Sequence, residues 1–365
     1  MRVFVTVQHP AHVHFFRHAI DELESAGHDV HVFAREKEMA VELLERFDID
    51  HEVLAGSASG LAELATVQAT YEARLLRRAF QLRPDVVTAI GGVAAAHVAT
   101  LVRARSVVFY DTEHADLIQN LAFPFADAVY TPDCYRRSAG RNQVQYPGYH
   151  ELAYLHPDRF TPDPEVPRDL GLEPDDRFVV LRLVDWGASH DVGHAGFDDA
   201  VDAVARLEDA GAEVLITAEG SLPPELEGHR TTVAPHRMHD LLAYADLFVG
   251  EGATMAAESA VLGTPAVYVN SLSMGYTDEL DEQYRLLFNF QGEGRHARAL
   301  SKSVELLEGD VDWDDRRAWL LADKCDTTEV VVRAVEGRPR RERESPTAGV
   351  RVGTDAPARN RDSRT

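Results

Sequence analysis

From its first residues the chain alternates two patterns. Short, nearly unbroken apolar runs give way to stretches in which apolar side chains return every third or fourth position. The first pattern suits strands buried on both faces and the second suits amphipathic helices, which together predict strand–helix units around parallel sheets. A strand over residues 2–7 leads to a helix over about 13–26, whose Val13, Phe16, Ile20 and Leu23 share one face before Gly27 ends it. Further strands are expected at 30–33, 84–90, 106–110 and 128–130, with a helix of small residues over 93–102 after Gly91-Gly92. Pro157, Pro162, Pro164, Pro167 and Pro174 then crowd one segment and mark a hinge. Beyond it the alternation restarts with a strand at 178–184, a helix at 197–210 and a strand at 213–217. A helix at 238–245, strands at 247–249 and 266–269, and helices from about 278 to 335 follow, the last placed to cross back to the first half. The expected fold is α/β, with two Rossmann-like, doubly wound parallel-sheet domains facing a cleft. The domains are expected at 1–150 and 177–337, with a hinge at 151–176 and a tail at 338–365.

Composition narrows the class. A chain of 365 residues, 45% hydrophobic and 27% charged, has room for two domains with proper cores. Its longest apolar runs are strand-sized, too short to cross a bilayer. Its start enters a strand directly, without the anatomy of a signal peptide. A cytoplasmic protein is expected, with room for peripheral attachment to a membrane.

The formal charge of −24 excludes nucleic acid as a partner, because nothing would neutralise phosphates along a duplex. Lysine occurs only at Lys37, Lys302 and Lys324. A dispersed acidic surface with so little lysine fits a halophilic archaeon, where salt screens the repulsion; an acidic mesophile rich in arginine is the alternative. Cys134 and Cys325 form no CxxC, and the 17 histidines fall in no metal-binding spacing, so no metal is expected. From Arg338 the chain carries eight arginines against four acids and few large apolar residues, the composition of a disordered tail.

The stretch GEGATMAAESAVLGTP, residues 250–265, carries chemistry of its own. Gly250, Glu251 and Gly252 lie at the carboxyl end of a predicted strand, where ligands of open α/β sheets sit. The helix that begins there offers free N–H groups to a phosphate, and Thr254 and Glu258, four apart, share one face. A diphosphate at the helix start and a ribose one turn along would suit this spacing. A glycine-flanked packing helix with a solvent-exposed glutamate suits it equally.

The same stretch resembles the donor-site signature of GT-B-fold glycosyltransferases and of UDP-N-acetylglucosamine 2-epimerases. Over residues 1–336 the chain resembles an archaeal and bacterial domain family of unassigned function related to those enzymes. The resemblance places Glu258 on the ribose of UDP and Gly252, Ala253 and Thr254 at the diphosphate, where the epimerases carry Ser-Gly-Gly. Residues 8–16, QHPAHVHFF, resemble the Gly-Gly-His-Val turn of the peptidoglycan N-acetylglucosaminyltransferase without its glycines, with Ala11-His12-Val13 at the matching place. By that likeness His12 is a candidate base for an acceptor hydroxyl, with His14 next. A helix N-terminal anion contact and an exposed surface residue are the alternatives for this pair.

Residues 110–117, YDTEHADL, put Glu113 on the glutamate shared by the epimerase and transferase motifs. An N-cap made by Asp111 or Thr112, with Glu113 in the first helical turn, is compatible with that role. In LVDWGASHDVGHAGF, residues 183–197, His190 matches the epimerase histidine that touches the phosphates, while the neighbouring arginines of that motif are absent and Arg182 is placed to compensate. Residues Pro235, His236 and Met238 match the turn that borders the base, and His239 reads as an ordinary helix residue.

Transfer and epimerisation share this nucleotide site. The epimerases take one cleft carboxylate from a His-Gly-Asp strand end, which here reads Ile90-Gly91-Gly92. The reading favoured is therefore a metal-independent glycosyltransferase, with a UDP-sugar as substrate, no cofactor, and a glycan, lipid or small molecule as acceptor. A 2-epimerase and a non-catalytic nucleotide-sugar binder are the alternatives.

Overall fold

The computed structural model describes residues 1–37, 39–57, 60–173, 176–183, 200–218 and 220–337. Its first half runs β1 (Arg2–Val7), α1 (Pro10–Ser25), β2 (Asp29–Arg35), α2 (Ala40–Arg46), β3 (His51–Ala55) and α3 (Leu61–Leu82). It continues with β4 (Val86–Ile90), α4 (Val93–Val102), β5 (Arg105–Phe109), α5 (Asp116–Ala122), β6 (Ala128–Pro132) and β7 (Gln143–Tyr146). The short α6 (Glu165–Asp169) precedes β8 (Phe178–Leu183), α7 (Ala200–Asp209), β9 (Glu213–Ala218), α8 (Met238–Leu242), β10 (Leu247–Gly250) and α9 (Ala253–Leu262). The chain finishes with β11 (Ala266–Val269), α10 (Gly275–Glu279), β12 (Leu287–Phe290), α11 (Arg295–Glu308), α12 (Trp313–Asp323) and α13 (Thr327–Glu336).

Seven strands form one sheet in the order β3-β2-β1-β4-β5-β6-β7, and five form a second in the order β12-β11-β10-β8-β9. The named strands pair in parallel throughout. Strands such as Val3–Val7 and Leu247–Gly250 are buried, as sheets covered by helices on both faces require. Strand order reverses between β1 and β4 in one sheet and between β8 and β10 in the other. These switch points open crevices at the carboxyl ends of the strands, where open α/β sheets bind ligands.

Two expectations are corrected. Helix α1 begins at Pro10, not near residue 13, because His9 caps it by accepting from the Ala11 amide at 3.2 Å and proline suits the first helical position. His12 therefore stands in the first helical turn rather than in a connecting loop. The segment expected as a hinge opens as packed core: Leu152, Ala153, Tyr154 and Leu155 are buried in a cluster that draws side chains from both halves. As expected, the last helix returns to the first half, where Arg105 donates to the Ala334 carbonyl at 2.7 Å. The 338–365 tail lies outside the described residues.

Candidate active site

The second sheet's switch point carries the GEGATM stretch. Gly250 is the β10 partner of Arg182 on β8, and a methyl group at Gly250 would stand 2.8 Å from the Arg182 Cβ and 2.7 Å from Phe248. This glycine is thus required by packing beneath the turn, not by the approach of a ligand. Gly252 differs, since a side chain there would meet nothing within 4 Å. Helix α9 starts from Gly252 without a side-chain cap, so its first N–H groups point outward unclaimed by any cap. Thr254 is exposed at this start. Arg182 donates to the Thr217 hydroxyl at 2.7 Å, which gives the half-buried guanidinium a polar neighbour in an apolar strand. His190 lies outside the described residues.

One turn into α9, Glu258 is buried rather than solvent-exposed. Its Oε1 accepts from the Tyr154 hydroxyl at 2.7 Å and lies 3.0 Å from His239 Nε2. His239 does sit in a helix, yet it is buried and aimed at this carboxylate. His14 of α1 packs against the same group, its ring 4.8 Å from His239 and 5.3 Å from Tyr154. Burial first, then His239, Arg17 and His18, hold the His14 pKa well below the usual histidine range. Its Nδ1 is buried without a partner among the described residues. His14 thus belongs to the packed seam between the halves.

The first sheet's switch point gathers His12, Gly91-Gly92 and Asp111. Gly91 and Gly92 take φ values of +73° and +59°, a left-handed pair that L side chains rarely adopt, and a Cβ on Gly92 would lie 2.8 Å from Val108. His12 keeps part of its surface open and accepts from the Gln8 amide at 3.4 Å. Burial, then the charges of His9, His150 and Lys37, push its pKa down to about 3, with Asp111 opposing them.

Asp111 meets His150 Nδ1 at 3.0 Å. Burial works to raise the Asp111 pKa, but His150 and the bond from the Thr112 hydroxyl outweigh it and hold the carboxyl below its usual value. The Nε2 of His150 is buried without a partner among the described residues. Next to it stands buried Glu151, whose pKa is raised well above the carboxylate range by burial, then by Asp111 and Glu258.

Glu113 is used differently from the expectation. Neither Asp111 nor Thr112 caps α5, which starts at Asp116 from Ala115 without a side-chain cap. The Glu113 Oε1 instead accepts from the amide of Gly275, at the start of α10 in the other half, at 3.0 Å, and from the Arg136 amide at 3.2 Å. Its Oε2 is buried without a partner among the described residues, while His114 turns to solvent. A methyl group at Gly275 would stand 2.0 Å from the Cys134 carbonyl oxygen, so only glycine permits this approach of the two halves. Nearby, Asp133, Cys134 and Glu279 bring three potential metal ligands together. Lys324 pairs with two of them, 2.9 Å from Asp133 and 2.7 Å from Glu279.

His150, Glu151 and Tyr154 escape the sequence reading because prolines make their segment look like linker. The signal was present in YHELAYLH, whose aromatic and apolar density is unlike that of a solvated hinge.

The family described as "Protein of unknown function (DUF354)" matches residues 1–280. The chain belongs to this family. Uncharacterized protein MJ0665 of Methanocaldococcus jannaschii is 23% identical over 277 residues, covering 73% of this chain and 80% of that protein. Among solved structures, the UDP-GlcNAc 2-epimerase of Methanocaldococcus jannaschii superposes with a TM-score of 0.64 at 12% identity, over 92% of this chain and all of that one. The spinosyn rhamnosyltransferase SpnG, solved with thymidine diphosphate, gives a TM-score of 0.62 at 15% identity, over 92% of this chain and 100% of its own. The likeness shows the GT-B fold, shared by glycosyltransferases and epimerases.

Proposed function

We propose that this DUF354 protein is a metal-independent glycosyltransferase moving a sugar from a UDP-sugar to an acceptor hydroxyl. The observation that carries the reading is the switch point between β1 and β4. It presents His12, whose proton affinity burial lowers, in the field of Asp111, and the β4 strand end there reads Gly91-Gly92, with no carboxylate to exchange a proton at a sugar carbon. Support for the donor side comes from the uncapped start of α9 at the other switch point, and from the uridine and thymidine diphosphate sugars or nucleotides in the names of the structural neighbours.

In this reading the diphosphate rests on the N–H groups of Ala253 and Thr254, near Arg182, and Glu258 takes the ribose hydroxyls. The acceptor oxygen attacks the anomeric carbon as the bond to the diphosphate breaks, and the acceptor proton passes to His12. The bound diphosphate adds negative charge that raises the proton affinity of His12 as Asp111 already does. Asp111 also fixes the His150 ring through Nδ1. The leaving diphosphate is stabilised by helix N–H groups already in place.

UDP release from a panel of UDP-sugars, with and without candidate acceptors, tests the proposal. Release that requires an acceptor and is lost in His12→Ala supports transfer. Conversion of UDP-GlcNAc to UDP-ManNAc assigns an epimerase instead, and binding with neither reaction assigns a non-catalytic binder.

A further inference from the structure

The second sheet carries a cavity of about 450 Å³ at the end away from the cleft. Arg177, Asp246 and Pro265 line it, and each stands just before a strand, β8, β10 and β11 respectively. The uncapped start of α9 lies at the carboxyl ends of these strands, so the two places are separate. Helix α9 runs between them, from Gly252 at the switch point to Leu262 and Gly263 in the cavity wall.

The wall suits a cation. Helices α9 and α11 both end here, and neither carries a basic side chain in its last turn. The carbonyls at such ends hold partial negative charge. Two of them are answered, Val261 by Arg317 at 3.2 Å and Leu307 by Arg177. The charge count is negative with these arginines included. Asp246, Asp310 and Asp314 line the cavity against Arg177, and residues 305–317 hold six acids against Arg316 and Arg317. Asp246 is engaged, accepting from the Phe178 amide at 2.9 Å and lying 3.7 Å from Arg177. Asp310 and Asp314 are exposed and close no ion pair among the described residues.

Aromatic rings complete the wall. Tyr244 is 41% exposed, and its hydroxyl is held by the Pro162 carbonyl at 3.3 Å. Trp313 already carries one cation, the Arg316 guanidinium 4.8 Å from its ring centroid. Ring faces attract ammonium groups, and indole does so most strongly. Carboxylates, helix carboxyl ends and rings together repel a nucleotide or free phosphate and select an organic cation.

We propose that this cavity binds a small organic polycation, with one ammonium group against Tyr244 and Trp313 and another against Asp310 and Asp314. Its volume falls within the range of about 300–1,000 Å³ usual for small-ligand sites. The site is independent of the reaction assigned to the cleft.

Calorimetric titration of spermidine into the full chain tests it, at about 0.15 M salt, where charges more than about 8 Å apart are largely screened. Spermidine saturates a single site per chain, and magnesium chloride at matched ionic strength does not displace it. Asp310→Asn/Asp314→Asn weakens binding roughly tenfold, and Tyr244→Leu weakens it several-fold. Glu45→Gln/Asp50→Asn removes the same charge from exposed positions in the first half and leaves the affinity unchanged. All of these side chains are exposed, and an unchanged thermal melt without spermidine confirms that the variants fold. Heats that never saturate, displacement by magnesium, or an equal loss in Glu45→Gln/Asp50→Asn overturns the proposal in favour of diffuse attraction to an acidic surface. Wild-type affinity in Asp310→Asn/Asp314→Asn overturns it as well.

Discussion

Glu258 on α9 and His239 on α8 meet at 3.0 Å with both side chains buried, and Tyr154 donates to the same carboxylate oxygen at 2.7 Å. A residue expected to serve only a ribose therefore also holds the seam between the halves. Glu258→Ala loses nucleotide affinity and, in addition, destabilises the protein by about 3 kcal/mol, since it leaves His239 and Tyr154 without their acceptor. Glu258→Gln recovers most of the stability and less of the affinity. Paired denaturant melts and UDP titrations check the split; an alanine variant with wild-type stability contradicts it.

Glu113 acts as a cap across the cleft. Removing its carboxylate in Glu113→Ala frees the Gly275 amide and costs about 1–2 kcal/mol, with a larger radius of gyration as the halves part. Glu113→Gln keeps an acceptor for that amide and stays compact. Small-angle scattering on both variants gives the answer, and an alanine variant as compact as the wild type would show that other contacts suffice.

Lys324 is the second cross-connection, its side chain 1% exposed between Asp133 and Glu279. Lys324→Met fills the space without the charge and leaves Glu279 beside Asp133. The expected loss is about 3 kcal/mol, at the low end for a broken buried pair because Asp133 remains partly wet. Urea unfolding of the variant measures it.

The pH dependence of stability follows from the buried histidines. Burial, then His239, holds the His14 pKa well below its ordinary value of 6.5, and burial also lowers His12 to about 3 and His18 to about 4. Below pH 6.5 the unfolded chain binds protons at these sites that the folded chain refuses, so stability is lost as pH falls from 6.5 towards about 4. A fully buried group such as His14 contributes at most about 1.4 kcal/mol per pH unit over that range. Glu151 has the opposite sign: burial raises its pKa, so its penalty grows as pH climbs above 4.5. Denaturant melts at about pH 7 and pH 5 should show the loss, reduced in His14→Phe, while Glu151→Gln should gain more at the higher pH. A His14→Phe variant whose stability changes between the two pH values as much as the wild type's would contradict this assignment.

Much of the double sheet was legible in the chain because parallel strands buried on both faces leave apolar runs. β11 falls where the run at 266–269 placed it. Elements at the edge of the first sheet were not anticipated. β3 mixes His51 and Glu52 with an exposed Val53 and shows no clear period, whereas α3 repeats Val67, Tyr71, Leu75 and Ala79 every fourth residue, a helical signal present in the sequence. The two switch-point motifs could be found locally, because strand, turn and helix are contiguous there. The partners of Glu113 and Glu258 could not: Gly275 lies 162 residues from Glu113, and Tyr154 lies 104 residues from Glu258. Only the closing of one domain on the other reveals that these carboxylates bind protein.

The central claim is that α9 begins at a diphosphate site. Gly252 tests it most directly, because its φ of −90° and its open surroundings admit a side chain. Aspartate there would cap the helix and complement its dipole, leaving the fold as stable or more so, while repelling a diphosphate. Calorimetric titration of UDP into the wild type and Gly252→Asp is the decisive measurement. A diphosphate site at α9 binds UDP in the wild type and loses it in a variant that melts no lower; equal binding by both, or no binding by either, would contradict such a site.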